Sequence, residues 1–246
     1  MADTKLHPIV EKLGLAPGTP EAVLAVADVF VKMRYEEATA NKDNIFGKWF
    51  GANNTAWCAE FVSYCFNKAG AGYVVNGLQT SNGYSSCAAG IKGMKKRGLV
   101  QVPVEKAQAG DIIFFDWEHD HDPDHTGIVL KNNPKKKTIT TREGNTSRAN
   151  GSRSNGGQVA QRDRNYSVVF AVFRPNWKPV KPVLKTPAKP VAKAKPVVKS
   201  AVKPVALPAK PLPPTTIAKP AVAVNETADK KPVAKPASKT MASKAE

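Results

Sequence analysis

Apolar residues recur at helical spacing twice in the first third of the chain. Val23, Val26, Ala27, Phe30 and Val31 share one face behind Thr19-Pro20-Glu21, which reads as cap, first helical residue and acidic second position, so a packing helix is expected from Pro20. Phe61, Val62, Cys65 and Phe66 form a second stripe, with Asn54 or Thr55 as its expected cap and Gly70 as its stop. Further on the helical period gives way to strand-like runs. Gly110-Asp111-Ile112-Ile113-Phe114-Phe115-Asp116 follows a turn, Asp124-His125-Thr126-Gly127-Ile128-Val129-Leu130 opens with a histidine, and Thr138 to Thr146 ends in a polar pair. From Asn176 to Glu246 no such pattern survives. That segment holds 15 Lys, no Arg, three acids and 13 Pro, with Trp177 its one aromatic, and it cannot bury enough apolar surface to offset its ordering entropy. The expected organisation is one α+β domain over residues 1–175, its core at about 20–175. N-terminal helices pack on an antiparallel sheet, and a disordered Lys/Pro/Ala/Val-rich basic tail follows over 176–246.

Chemistry enters at Cys58. A free cysteine is ordinarily a small buried hydrophobe, but this one falls in the first turn of the second helix. Unpaired backbone N–H groups there favour the ionised, nucleophilic thiolate. His125 opens a strand, from which its ring can reach a thiol on a helix and act as general base. Glu143 and Asn145 are two residues apart, so on a strand they share a face and either or both could orient the imidazole. A nucleophile, its base and an orienting group supplied by separate elements is the logic of a thiol hydrolase. Of the other two cysteines, Cys65 lies two helical turns beyond Cys58 and is expected in the core. Cys87 has no base or metal partner that the sequence can assign, and no catalytic role is expected of either. His7, His119 and His121 are likewise expected outside the site. Besides the Cys58 backbone N–H, Asn53 or Asn54 is the candidate oxyanion donor.

In four ordered motifs the chain resembles the CHAP domain family, the cysteine- and histidine-dependent amidohydrolases and peptidases. The nucleophile helix matches in Trp57-Cys58-Ala59-Glu60-Phe61-Val62. The histidine hairpin matches in Gly110-Asp111-Ile112-Ile113-Phe114-Phe115 and Asp124-His125-Thr126-Gly127-Ile128-Val129, and the last strand in Glu143-Gly144-Asn145-Thr146. Phe46-Gly47-Lys48-Trp49-Phe50-Gly51 looks like the aromatic segment that precedes the nucleophile in phage members of that family. The resemblance implies a papain-like fold, catalytic Cys58 and His125 with Glu143, Asn145 or both behind the imidazole, and bacterial peptidoglycan as substrate. The bond would be an amide, cut by an endopeptidase or an N-acetylmuramoyl-L-alanine amidase of the phage endolysin kind. An amidase acting on a small-molecule amide, or a non-catalytic virion or wall-binding protein, would share these motifs.

Charge adds a partner class. The chain carries a net +17, most of it on the tail, whose repeated Lys-Pro-Val/Ala theme favours extended, mobile polycationic segments. Such a tail is either a spacer or an electrostatic attachment to anionic wall polymers or a phospholipid surface. It has no arginine and, beyond Trp177, no aromatics on which bases could stack, so sequence-specific nucleic-acid readout is not expected. The loop Asp116-Trp117-Glu118-His119-Asp120-His121-Asp122-Pro123-Asp124 is acidic but lacks the glycine and distant glutamate of an EF-hand, so it reads as a solvated turn. No metal and no cofactor is expected. The first residues lack the uninterrupted apolar run of a secretory signal, and no stretch is apolar enough to span a membrane. The expectation is a monomer held in a host cytoplasm until lysis, or carried in a virion, and acting at the wall.

Overall fold

The computed structural model describes residues 5–38, 41–148 and 155–178, all within the first of two compact units; the expected disordered tail lies almost wholly outside the described residues. Among the described residues six α-helices precede six strands: α1 (Pro8–Lys12), α2 (Pro20–Lys32), α3 (Ile45–Phe50), α4 (Cys58–Lys68), α5 (Gly72–Val75) and α6 (Cys87–Arg97), then β1 (Val100–Val102), β2 (Ile112–Phe115), β3 (His125–Asn133), β4 (Thr138–Thr146), β5 (Gln158–Asn165) and β6 (Val169–Arg174). The strands make one antiparallel sheet in the order β1-β6-β2-β3-β4-β5. This is the α+β class that the change of hydrophobic period implies. No helix among the described residues is long and apolar enough to cross a membrane.

Helix α2 begins where its sequence says it should. Thr19 accepts a hydrogen bond from the Ala22 N–H at 3.2 Å, Pro20 takes the first helical position, and Val23, Val26, Ala27 and Phe30 are buried. Helix α4 departs from expectation at its start. Its N-cap is Trp57, with no side-chain cap, because the Thr55 hydroxyl is turned to the Ala52 carbonyl and to Glu60 Oε1. The first-turn N–H groups of α4 are thus left without a competing side-chain acceptor, which matters for the sulfur at its first position. The helix ends at Lys68, and Gly70 follows at φ +76°, the left-handed stop that its position suggested.

An aromatic cluster fixes α4 from the N-terminal side. Phe46 stacks on Trp57 with centroids 5.2 Å apart and meets Phe30, Phe61 and Tyr64 edge-on, while the Trp57 indole N–H donates to Glu37 at 2.8 Å. On the other side α4 meets β3 and β4. Gly144 permits that approach: a Cβ there would sit 2.5 Å from Phe61 Cβ and 2.7 Å from the Trp57 ring. Strand β5 was not visible as an apolar run, since Gln-Val-Ala-Gln-Arg-Asp-Arg-Asn is mostly polar. It lies at the sheet edge and pairs with β4 at seven positions. Trp177 stacks on Phe66 at 5.8 Å, tying the chain beyond β6 to α4.

Candidate active site

Three elements place the site. The first residue of α4 supplies Cys58, the first residue of β3 supplies His125, and β4 supplies Glu143; all three are buried. His125 Nε2 lies 3.0 Å from Glu143 Oε2. Among the described residues no oxygen or nitrogen meets the buried Nδ1, which leaves that nitrogen for the Cys58 sulfur, with which the ring interacts. Gly127 makes the Glu143 reach possible: it sits two residues along β3 from His125, and a Cβ there would fall 2.8 Å from Glu143 Cγ.

The electrostatics follow from these contacts. A thiol hydrogen bond from Cys87 is the strongest influence holding the Cys58 pKa well below the usual thiol range. It outweighs the opposing effect of burial and is helped by His125 and the Thr126 backbone N–H. Burial alone would lower the His125 pKa, but the Cys58 thiolate and Glu143 raise it to about 9. Burial would likewise raise Glu143, yet His125 and Arg164 hold it down at about 2. All three shifts favour a thiolate–imidazolium pair backed by an ionised carboxylate.

Two of these participants are not expected at the site: the sequence assigns Cys87 no partner and does not single out Arg164 at all. Cys87, at the first position of α6, is not an isolated cysteine: its thiol faces Cys58, which with burial and the nearby Asp124 and Asp122 pushes its own pKa well above the usual value. Arg164, on β5, forks onto Glu143, with Nε 2.9 Å from Oε1 and an Nη on Oε2. The signal that could have found them is spatial, since neither lies in a recognisable local pattern. Cys65, by contrast, is fully buried in the core as its helical spacing implies, and burial raises its pKa.

Asn145 is buried beside Glu143, but the strand does not continue as a regular period-2 run through it. Its φ is +54° and the β4–β5 register shifts between Glu143 and Thr146, so the simple shared-face argument does not hold there. Its carbonyl accepts from the Gly156 N–H at 3.0 Å. Asn53 is committed elsewhere: Oδ1 accepts from the Asn44 N–H and Nδ2 donates to Asp43, while Asn54 is exposed with φ +66°. Neither is placed as the oxyanion donor. Glu60, in the same turn as Cys58, is a buried acid whose pKa burial raises to about 8, against a hydrogen bond from Thr55 and aided by the Cys58 charge.

In the acidic loop, Asp116, Glu118 and Asp124 bring ligand-type oxygens within 4.8 Å of one another. Asp116 is already engaged by the backbone N–H groups of His119 (2.7 Å) and His121 (3.0 Å), and Asp124 by that of Trp117 (2.7 Å). These are turn-closing bonds, and they account for the left-handed backbone of His119 and His121.

Residues 50–145 match the CHAP domain family model. Comparison with characterised proteins by sequence gives no match. Among solved structures, the wild type endolysin LysIME-EF1 aligns at 18% identity and a TM-score of 0.45, over 65% of this chain and 65% of its own.

Proposed function

We propose that the chain, whose residues 50–145 match the CHAP domain family model, hydrolyses an amide bond of bacterial peptidoglycan through a Cys58 thiolate, as a lysin. The carrying observation is the contact of Cys58, at the start of α4, with His125 of β3 and of His125 with Glu143 of β4 at 3.0 Å, all three side chains being buried. The sulfur attacks the amide carbonyl carbon, forming a C–S bond, and the oxyanion is held by the backbone N–H at the uncapped start of α4. The His125 imidazolium then gives its Nδ1 proton to the leaving amine as the C–N bond breaks. Neutral His125 next takes a proton from water, hydroxide adds to the thioester, and the thiolate leaves with a carboxylate product. Glu143 keeps Nε2–H oriented and the imidazolium stable throughout. Asn145 is assigned a second orienting role, which predicts that loss of either residue alone leaves measurable turnover.

The test is mass spectrometry of fragments released from purified walls by the full chain and by Cys58→Ala. New amine and carboxyl termini with the native protein, and none with the folded variant, support the reading and name the bond. Soluble fragments from Cys58→Ala would remove the nucleophile assignment. Inert walls with an actively hydrolysed small-molecule amide would transfer the chemistry to that other substrate class.

A further inference from the structure

Behind the Cys58, His125 and Glu143 relay stands a fourth side chain whose geometry is as definite as theirs. We propose that Arg164 is a positioning residue of the site, fixing the Glu143 carboxylate plane so that one oxygen meets His125 Nε2 and supplying the counter-charge that lets that carboxylate stay buried.

A carboxylate on a glutamate rotates freely about its last torsion, so a single partner fixes its position poorly. Glu143 has both oxygens claimed. Oε1 receives Arg164 Nε at 2.9 Å and the Thr141 hydroxyl at 2.5 Å, and Oε2 receives an Arg164 Nη together with the His125 ring. The guanidinium is fixed in turn. It reaches Thr146 Oγ1 at 3.3 Å, lies over the Trp117 ring at 4.6 Å and over Phe115 at 5.6 Å, and is 6% exposed. A planar fork locked in this way defines the carboxylate plane, and lysine, a point charge, cannot do the same.

The ionisable groups around the relay are Cys58 and Glu60 from α4, Cys87 from α6, His125 from β3 and Glu143 from β4. Asp122 and Asp124 act on the Cys87 side. Among the described residues, Arg164 is the permanently charged group that bonds Glu143. If it is removed, either Glu143 stays ionised and the field at the sulfur becomes more negative, or Glu143 takes a proton and His125 loses the partner that supports its charge. In both cases the Cys58 thiolate is less favoured.

The proposal rests on the hydrolase reading only for its turnover arm. Cys58 alkylation by iodoacetamide, followed on the Cys58 peptide by mass spectrometry across pH, needs no substrate. Arg164→Met should move the alkylation midpoint up by about one pH unit and lower kcat on wall fragments by ~10–100-fold with KM within about 3-fold. Arg164→Lys should keep the midpoint and still lower kcat, because charge is retained and the fork is lost. An unmoved midpoint in folded Arg164→Met overturns the proposal. Should the methionine variant fail to fold, Arg164→Lys decides alone: native kcat overturns the positioning role, reduced kcat at unchanged KM and midpoint supports it. The predicted midpoint shift with walls left untouched by the native chain would sink the substrate assignment and leave Arg164's role standing.

Discussion

At the scale of single residues, the first turn of α4 combines two opposite demands on charge: Cys58 is to be ionised at neutral pH, while Glu60 two residues on is to be neutral. Neutral Glu60 avoids a second anion beside the thiolate. Its pKa is raised in the folded chain to about 8 from an ordinary 4.5, so its contribution to stability is full below 4.5 and is lost as pH rises through about 8. Glu60→Gln should therefore raise the melting temperature at pH 9 by several degrees and change it little at pH 4, measured by calorimetry. His125, raised to about 9, carries the same sign: the pair's stabilisation and the imidazolium that protonates the leaving amine both fade above that value, so activity should fall on a basic limb near pH 9. Cys87 gives a sharper test. Cys87→Ala removes the thiol donor to Cys58 and should move the acid limb of activity to higher pH, whereas Cys87→Ser retains a donor and should leave the limb nearer its native position. Coincident limbs for alanine and native protein would mean that the Cys87 contact does not hold the thiolate.

At the scale of elements, two glycines decide whether strands come close enough to α4 and to each other. Gly127→Ala would press a methyl against Glu143 Cγ and should lower kcat by roughly ten-fold or more while the melting temperature falls only modestly. If kcat is native in that variant, the strand has room that its geometry denies. The sequence showed the elements whose pattern is local: the stripe of α4, the apolar runs of β2 and β3, and the cap of α2. It placed Cys58, His125 and Glu143 on the right elements for the same reason. What it did not show depends on contacts between distant positions. Arg164 sits in a polar edge strand with no apolar periodicity, and Cys87 meets Cys58 only because two helices bring their first residues together. The backbone at Asn145 was not legible for a different reason, since a left-handed residue and a register shift interrupt the period-2 strand there.

At the scale of the whole molecule, charge and chemistry are separated along the chain, with most of the net +17 lying beyond the described domain. Truncation after Lys178, which spares the Trp177 stack on Phe66, should leave hydrolysis of small soluble wall fragments unchanged and weaken lysis of intact walls at low salt. Both proteins should converge at high salt; equal lysis at low salt would make the tail a spacer. The strand order carries a consequence in time. Strand β6, the last among the described residues, is inserted between β1 and β2, and Arg164 of β5 closes the relay behind Glu143, so the sheet has no complete middle until residue 174 is available. A nascent chain still threading the ribosome exit tunnel thus holds the nucleophile long before it holds the scaffold that ionises it. Stalled chains of increasing length, probed by Cys58 alkylation at neutral pH, should gain native reactivity in one step once β6 has emerged. Native reactivity in chains that expose only residues up to 150 would show instead that the helix and histidine hairpin ripen on their own.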